Sequence, residues 1–195
     1  MSRTGHDVVL ARHGQTEWSL DGRHTGTTDI PLTAEGREHA RALAPRLKDW
    51  SFALVLSSPL TRALDTARLA GLGGAMSIRE DLREWDYGSY EGVSTPDIHK
   101  TDPGWYLFTD GCPGGETPAQ VGTRVDRVIA ELRAADGPCA VFAHGHVLRV
   151  LAARWLGFDP AESGRFALST ATLSVLGEEH HHPAVWLWND GSHFD

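Results

Sequence analysis

Short apolar runs rich in β-forming residues recur along the chain, and each run is continuous rather than alternating with polar residues. Continuous runs of this length are typical of strands that are buried on both faces of a sheet. We therefore predict five strands, over residues 7–11, 52–57, 139–144, 173–176 and 184–188.

The segments between these runs carry apolar residues at helical spacing. Over residues 33–50, Ala40, Leu43 and Leu47 fall on one face, and Thr33 is a suitable N-cap. Further helices are predicted over 59–70, 117–135 and 146–156. Strands that alternate with helices indicate an α/β fold, a three-layer α/β/α sandwich around a mostly parallel sheet. Residues 1–195 are long enough for one domain and short for two.

Three of the predicted strands end in LARHG, LSSPLTR and FAHGH. Parallel sheets bind ligands beyond the carboxyl ends of their strands. These endings therefore bring cationic and imidazole side chains to one edge, namely those of Arg12, His13, Arg62 and His144. The segment over 88–115 lacks clean periodicity and is rich in proline and glycine, so we predict a loop or lid there.

The composition narrows the classes of partner. With 41% hydrophobic residues, 23% charged residues and a formal net charge of −8, the chain is typical of a globular protein. The negative charge disfavours broad binding to nucleic acid or to an anionic membrane. The N-terminal residues are neither a secretion signal nor a membrane span, so a cytoplasmic location is expected. A homo-oligomer is left open.

No metal or cofactor is predicted. Cys112 and Cys139 lack the paired spacing of a zinc site or a disulfide framework. The run over 180–182 consists of three histidines, which invites a metal-binding interpretation. Successive residues rarely converge on one ion, so we predict an exposed loop there instead.

Two arginines and two imidazoles at one edge of an acidic protein indicate a local pocket for a phosphate group. A neutral imidazole such as that of His13 is a competent nucleophile near neutral pH. The leaving alkoxide then needs a carboxylic acid, and Glu84 is our first choice. Its competitors in the same region are Glu80, Asp81, Asp86 and Glu91. A lone histidine is more often structural and a lone arginine more often a surface ion-pair partner, so the hypothesis depends on the whole set.

The segments ARHGQTEW, SSPLTRALDTA, EWDYGSYEG and FAHGH occur in this order and together resemble the histidine phosphatase superfamily, also called phosphoglycerate-mutase-like. The resemblance spans about residues 8–176. It implies a metal-independent enzyme in which His13 forms a phosphohistidine and Glu84 donates and accepts the proton. It also implies that Arg12, Arg62 and His144 hold the phosphoryl group.

Four further residues stand where this family contacts phosphate or substrate: Thr16, Ser19, Thr25 and Gly26. Ser19 departs from many mutases of the family, which carry asparagine at that position. His146 is left outside the catalytic set. The resemblance therefore implies that these four residues bind the phosphate or the rest of the substrate.

The mutase branch holds a second phosphate on an arginine after the acid and on basic residues of an insertion. Here Trp85 follows Glu84, and the interval 87–120 contains no arginine and a single lysine, Lys100. This difference favours hydrolysis of a phosphoenzyme, and hence a phosphatase. The remaining alternatives are a phosphoglycerate mutase and a non-catalytic module that binds phosphorylated ligands.

Within the phosphatases, three segments are most similar to sugar-bisphosphatases of the sedoheptulose 1,7-bisphosphate type and to actinobacterial acid phosphatases: EWDYGSYEG, DGCPGGET and FAHGHVLRVLAARWLG. A small phosphorylated metabolite, in particular a sugar phosphate or bisphosphate, is therefore the expected partner. We also expect the aromatic segment over 105–108 to cover it, and Arg23 or His24 to meet a distal anion.

Overall fold

The computed structural model describes residues 6–194, apart from the side chain of residue 75. Its strands are β1 (Val8–Arg12), β2 (Leu54–Ser57), β3 (Met76–Ile78), β4 (Cys139–Ala143), β5 (Leu173–Glu179) and β6 (His182–Asp190). They form one sheet in the order β3-β2-β4-β1-β5-β6. The pairs among β3, β2, β4 and β1 are parallel, whereas β5 pairs antiparallel with β1 and with β6. The predicted mostly parallel sheet is therefore confirmed.

The helices are α1 (Glu17–Leu20), α2 (Ala34–Ala42), α3 (Ala44–Leu47), α4 (Thr61–Leu69), α5 (Thr95–Ile98), α6 (Leu107–Asp110), α7 (Pro118–Arg133) and α8 (Gly145–Trp155). Short 3-10 helices cover Gly73–Ala75, Glu80–Leu82, Gly88–Tyr90 and Pro160–Arg165. Within residues 6–194, every helix falls short of the length and apolarity that a bilayer crossing requires.

Helices cover both faces of the sheet because successive side chains of each strand point to opposite sides. In β1, Val8 and Leu10 join an apolar cluster that contains residues of α7 and α8. The alternate residues Val9 and Ala11 join a second cluster with residues of α4 and of the α2–α3 region. These two clusters are the two cores of the predicted three-layer α/β/α arrangement.

The single helix predicted over 33–50 is wrong, because the chain forms α2 and α3 with a break at Leu43. Pro45 lies at the start of α3, where its missing N–H and its ring prevent α2 from continuing. Four short elements, α1, β3, α5 and α6, were not predicted, since three or four residues carry too little periodicity to be recognised.

The histidine run over 180–182 is exposed, as predicted. His180 and His181 form the turn between β5 and β6, both with positive φ (51° and 66°). Two residues of this kind are typical of the tight turns that join antiparallel strands.

The segment over 88–115 is not irregular throughout, because it contains α5 and α6. Ile98, Trp105 and Phe108 of this segment are buried in the core formed with α7 and α8. The predicted loop is therefore corrected at these residues. Its action as a lid stays a prediction.

Candidate active site

A cleft of about 240 Å³ lies beyond the carboxyl ends of β1 and β4. Arg12 and His13 at the end of β1 line it, as do Gly145 and His146 at the start of α8. Glu84, from the loop after β3, also lines the cleft. The cleft therefore lies at the sheet edge where a parallel sheet is expected to bind its ligand.

His13 follows β1 directly, at a sharp turn through Gly14. Its main-chain N–H donates to the carbonyl oxygen of Ala143 in β4 (2.9 Å). A side chain at Gly14 would come within 2.3 Å of the carbonyl oxygen of Gly36, so the turn requires glycine. The imidazole Nδ1 lies 2.7 Å from the Gly14 carbonyl oxygen, which can only accept a hydrogen bond. Nδ1 therefore carries the proton, and Nε2 keeps a free lone pair.

The surroundings of His13 keep its imidazole neutral. The residue is only 4% exposed. Burial lowers its pKa well below the ordinary value of 6.5, and the cations Arg62 and Arg12 lower it further. At neutral pH, His13 therefore presents an uncharged nitrogen nucleophile close to two guanidinium groups.

Arg12 extends over the first residue of α8. A Cβ at Gly145 would lie 3.2 Å from the guanidinium carbon of Arg12, so glycine allows this close approach. Nη1 of Arg12 donates to the carbonyl oxygen of Leu168. Its Nε is buried and has no hydrogen-bond partner within the described residues. A buried donor without an acceptor is costly, so this position suits an anionic ligand.

Arg62 and His144 are completely buried. Nε of Arg62 donates to Nδ1 of His144 (3.1 Å), so the proton of His144 is on Nε2, which donates to Oγ of Ser58 (2.7 Å). The ring centre of His144 lies 5.1 Å from that of His13. Burial lowers the pKa of His144 well below its ordinary value, and Arg62 lowers it further. Ser58 was not predicted, although its place just after β2 in LSSPLTR is a signal that could have identified it.

Arg62 also secures the loop that follows α1. Its terminal nitrogens donate to the carbonyl oxygens of Thr25 (2.9 Å), Gly26 (3.2 Å) and Thr28 (3.0 Å). In this arrangement Arg62 acts on His13 through its charge. Arg62 is not among the described residues that line the cleft, so its direct contact with phosphate stays a prediction.

Glu84 lies against the N-terminus of α8. Its Oε1 accepts the N–H groups of Trp85 and Val147 (2.9 Å each), and its Oε2 accepts that of His146 (3.0 Å). The N–H groups of a helix N-terminus are natural donors to a carboxylate. Glu84 is 7% exposed, so its carboxyl group is held in one place at the cleft wall.

The other four candidate carboxylates are engaged elsewhere. Glu80 and Asp81 form surface ion pairs with arginines. Asp86 accepts the N–H of Gly88 in its own loop, and Glu91 accepts the N–H groups of Gly26 and Thr28 from the loop after α1. None of the four is among the described residues that line the cleft. The geometry therefore singles out Glu84.

The four residues predicted on family resemblance fall into two groups. Ser19 and Thr25 line the cleft. Thr16 caps α1, and its hydroxyl accepts the N–H of Ser19 (3.2 Å). The N–H of Gly26 donates to the Glu91 carboxylate, and Gly26 lines a second cavity instead of the cleft. The structure thus brings two of the four to the cleft.

Five of the residues that line the cleft carry an aromatic, imidazole or guanidinium side chain beside the reactive ones, and we call them the recognition set: Arg23, His24, Tyr87, His146 and Arg149. Arg23 and His24 had been expected near a distal anion, whereas Arg149 was not predicted. The guanidinium of Arg149 lies 4.4 Å from the ring centre of Phe108. Its Nε and Nη2 donate to the carbonyl oxygens of Ser163 and Gly164. Arg149 is therefore held at the cleft by contacts on two sides.

The aromatic segment over 105–108 does not line the cleft, which corrects the expectation that it covers the substrate. Trp105, Leu107 and Phe108 are packed in the core because their apolar surfaces are better buried there. The ring of Phe108 instead packs against the guanidinium of Arg149.

Two imidazoles and one phenol of the recognition set have altered acid–base properties. Burial lowers the pKa of His146 well below its ordinary value, and nearby Arg149 lowers it further. Burial also lowers the pKa of His24. Burial raises the pKa of Tyr87 well above 10, so its hydroxyl stays protonated and donates to Nδ1 of His146. No group of three or more potential metal ligands is placed around one point within residues 6–194.

The family model for the histidine phosphatase superfamily (branch 1) matches residues 8–191. An acid phosphatase from Mycobacterium tuberculosis is 42% identical over 184 residues, which cover 92% of this chain and 90% of that protein. A sedoheptulose 1,7-bisphosphatase from Saccharomyces cerevisiae is 36% identical over 184 residues, which cover 76% of this chain and 67% of that protein.

Similarity extends to three-dimensional structure. The solved structure of an open reading frame product from Mycobacterium tuberculosis matches with a TM-score of 0.91 and 40% sequence identity. The match covers 95% of this chain and 98% of that one. The family indicated by the four ordered segments is thus confirmed.

Proposed function

Because this chain belongs to the histidine phosphatase superfamily, we propose that it is a metal-independent phosphatase that hydrolyses phosphomonoesters of small metabolites through a phosphohistidine on His13. The proposal rests on the placement of His13 and Arg12 in one cleft. His13, neutral and with a free Nε2, shares the cleft with Arg12, whose buried Nε has no acceptor among residues 6–194. A nucleophile and an unsatisfied cationic donor together suit a phosphoryl group.

The reaction has two steps. In the first, Nε2 of His13 attacks phosphorus, a nitrogen–phosphorus bond forms, and the phosphorus–oxygen ester bond breaks. The leaving oxygen takes a proton from Glu84. Arg12 stabilises the negative charge on the phosphoryl oxygens, a task that metal ions perform in other phosphatases.

In the second step, the Glu84 carboxylate accepts a proton from water as that water attacks phosphorus. The nitrogen–phosphorus bond breaks, inorganic phosphate leaves, and His13 returns to its starting form. Glu84 is then protonated again for the next turnover. The same two residues thus serve both halves of the cycle.

The recognition set supports a phosphorylated sugar, and one with a second anionic group, as the substrate. His24 donates from Nδ1 to the carbonyl oxygen of Val93 (2.7 Å), so its Nε2 can accept a hydrogen bond from a sugar hydroxyl. His146 accepts from Tyr87 at Nδ1, so its Nε2–H is a donor. Nη1 of Arg149 makes no hydrogen bond within the described residues and can bind an anion. The yeast relative is named for a sugar bisphosphate.

The experiment is a hydrolysis screen over sugar bisphosphates, sugar monophosphates, phosphoglycerates, phosphoserine and nucleotides, with His13→Ala as the blank. We expect release of phosphate by the wild type and a loss of on the order of 10⁴-fold or more in the variant, with unchanged circular dichroism. Rapid quenching in alkali should trap an acid-labile phosphohistidine, which the variant lacks. Turnover at the wild-type rate by His13→Ala would exclude the mechanism.

Two rivals are separated in the same screen. A phosphoglycerate mutase would isomerise 3-phosphoglycerate rather than only dephosphorylate it. A non-catalytic binding module would bind phosphorylated ligands without releasing phosphate from any of them. Full activity in the presence of a strong chelator supports metal independence, whereas restoration by one added divalent metal would contradict it.

A further inference from the structure

Arg124, in α7, does not line the cleft, yet its guanidinium contacts the main chain that carries Glu84. Nη1 donates to the carbonyl oxygens of Asp81 and Arg83 (2.7 Å each), and Nη2 donates to that of Glu84 (3.2 Å). The other two donors bind the Glu116 carboxylate, from Nε to Oε1 (2.8 Å) and from Nη2 to Oε2 (2.9 Å). A guanidinium has five N–H donors, so all of them are used, three on one stretch of main chain.

Glu116 holds the next part of the same stretch. Its Oε2 also accepts the N–H of Asp86, and its own N–H donates to the carbonyl oxygen of Asp86 (2.9 Å each). Its carbonyl oxygen accepts the indole N–H of Trp85 (2.9 Å). The side chain of Arg124 is only 11% exposed, so the Arg124–Glu116 pair is shielded from competing water. The pair therefore fixes the main chain on both sides of Glu84, at Arg83 and at Asp86.

The stretch needs such a clamp because open space lies beside it. A second cavity of about 250 Å³ is lined by Glu84, Asp86 and Arg124 among others. Main chain next to a cavity lacks the close packing that would otherwise hold it in place. A displacement of about 1 Å is enough to cost a catalytic group roughly 10²-fold in rate.

We propose that Arg124, together with Glu116, is a positioning residue for proton transfer: it fixes the main chain over 81–86 so that the Glu84 carboxyl group meets the leaving oxygen. The proposal rests on the proposed role of Glu84 as the acid. Arg124 itself contacts neither substrate nor reacting atoms.

The test compares leaving groups. A sugar phosphate releases an alkoxide that needs a proton, whereas p-nitrophenyl phosphate releases a stable phenolate that needs little help. The quantity compared is kcat/KM, which depends only on the steps up to release of the leaving group and so excludes the later role of Glu84 as base. We expect Arg124→Met to lower kcat/KM for the sugar phosphate by about 10²-fold and to change kcat/KM for the aryl ester little. Arg124→Lys should not rescue kcat/KM for the sugar phosphate, because one ammonium group cannot reach all five acceptors.

Glu84→Gln tells the two hypotheses apart. If Glu84 is the acid, this variant alone shows the same selective loss on the sugar phosphate. The double variant, Glu84→Gln with Arg124→Met, should then lose little further activity on the sugar phosphate. The reason is that the glutamine amide cannot act as an acid, so its position no longer matters. A full further loss in the double variant, or an equal loss on both substrates in Arg124→Met, would overturn the positioning role. Absence of selectivity in Glu84→Gln would instead overturn the acid assignment.

Two further variants control for stability. Glu116→Gln keeps the volume and part of the hydrogen bonding, so it should fold readily and show a smaller loss with the same selectivity. Arg154→Met removes another bidentate ion pair, which joins Arg154 of α8 to Asp126 of α7 (2.9 and 2.8 Å) away from the Glu84 loop. It should lower Tm without altering the ratio of the two kcat/KM values. A ratio that follows Tm across all these variants would show that the effect is only structural.

Discussion

The reactive residues and the recognition set line one cleft but are built by different means. Arg12 and His13 stand where β1 ends, and Glu84 is fixed by N–H groups at the start of α8. The recognition set comes from a surface loop, as with His24, and from the side of a helix, as with Arg149. Regular main-chain geometry therefore positions the chemistry, while side-chain packing positions the groups that select the substrate.

This difference predicts two distinct kinds of mutational effect. Changes at strand ends should reduce the rate of the chemical step for every substrate, since all phosphomonoesters present the same phosphoryl group. Changes in the recognition set should alter affinity, and only for substrates that carry a group for it to bind. Kinetics of variants from both sets of residues test whether rate and affinity separate in this way.

The largest of these effects is expected at the strand end. Arg12→Met should lower kcat/KM by roughly 10²–10³-fold for all phosphomonoesters, because removing one preorganised charged donor costs about 2.7–4 kcal/mol in the transition state. Arg12→Lys should recover only part of the loss, since an ammonium group lacks the planar fork that fits phosphate. Steady-state kinetics on one sugar phosphate and one aryl phosphate measure both. A loss confined to one of these substrates would contradict this separation of rate from affinity.

The strand-end residues could be predicted from the sequence because their positions follow from a rule about parallel sheets. Apolar runs located β1, β2 and β4, and the carboxyl ends of parallel strands meet at one edge, so Arg12, His13 and His144 had to lie near one another. No such rule locates Glu84. It follows a three-residue edge strand that was not predicted, and only the family resemblance distinguished it from the neighbouring acids.

Arg149 could not be predicted because its position depends on contacts that are distant in the chain. It lies among the apolar residues of α8, where a single arginine is typical of a surface position. Only the carbonyl groups of the 3-10 helix at Pro160–Arg165 and the face of Phe108 turn its side chain toward the cleft. The contacts of Arg124 could not be predicted for the same reason, because its hydrogen-bond acceptors are 8 to 43 residues away in the chain.

A smaller effect is expected in the recognition set. Arg149→Met should raise KM for a sugar bisphosphate by about 10-fold, equivalent to about 1.4 kcal/mol, and should raise KM for the matching monophosphate distinctly less. The measurement is KM for the bisphosphate and for the matching monophosphate, determined in parallel assays. Arg165→Met is the matched control, because Arg165 is an exposed arginine paired with Glu162 and does not line the cleft. Equal changes for both substrates would contradict binding of a second anionic group by Arg149.

The smallest expected effect is on the pH dependence of stability. Here a reactive residue, His13, and a member of the recognition set, His146, should behave alike. Burial lowers the pKa values of His13 and His146 well below 6.5 in the folded protein, whereas the unfolded chain takes up protons near that pH. Below pH 6.5 the unfolded state therefore binds more protons, so the free energy of unfolding falls as the pH falls. Denaturant titrations between pH 7 and 5 should show this slope.

His13→Ala and His146→Gln should each reduce the slope by at most about 1.4 kcal/mol per pH unit, although only the first abolishes turnover. His181→Gln, in the exposed turn between β5 and β6, should leave it unchanged. If His146→Gln left the slope intact, the neutral state assigned to His146 would be wrong. Its Nδ1 would then not accept the Tyr87 hydrogen bond, and its role as a neutral donor to a sugar hydroxyl would fail with it.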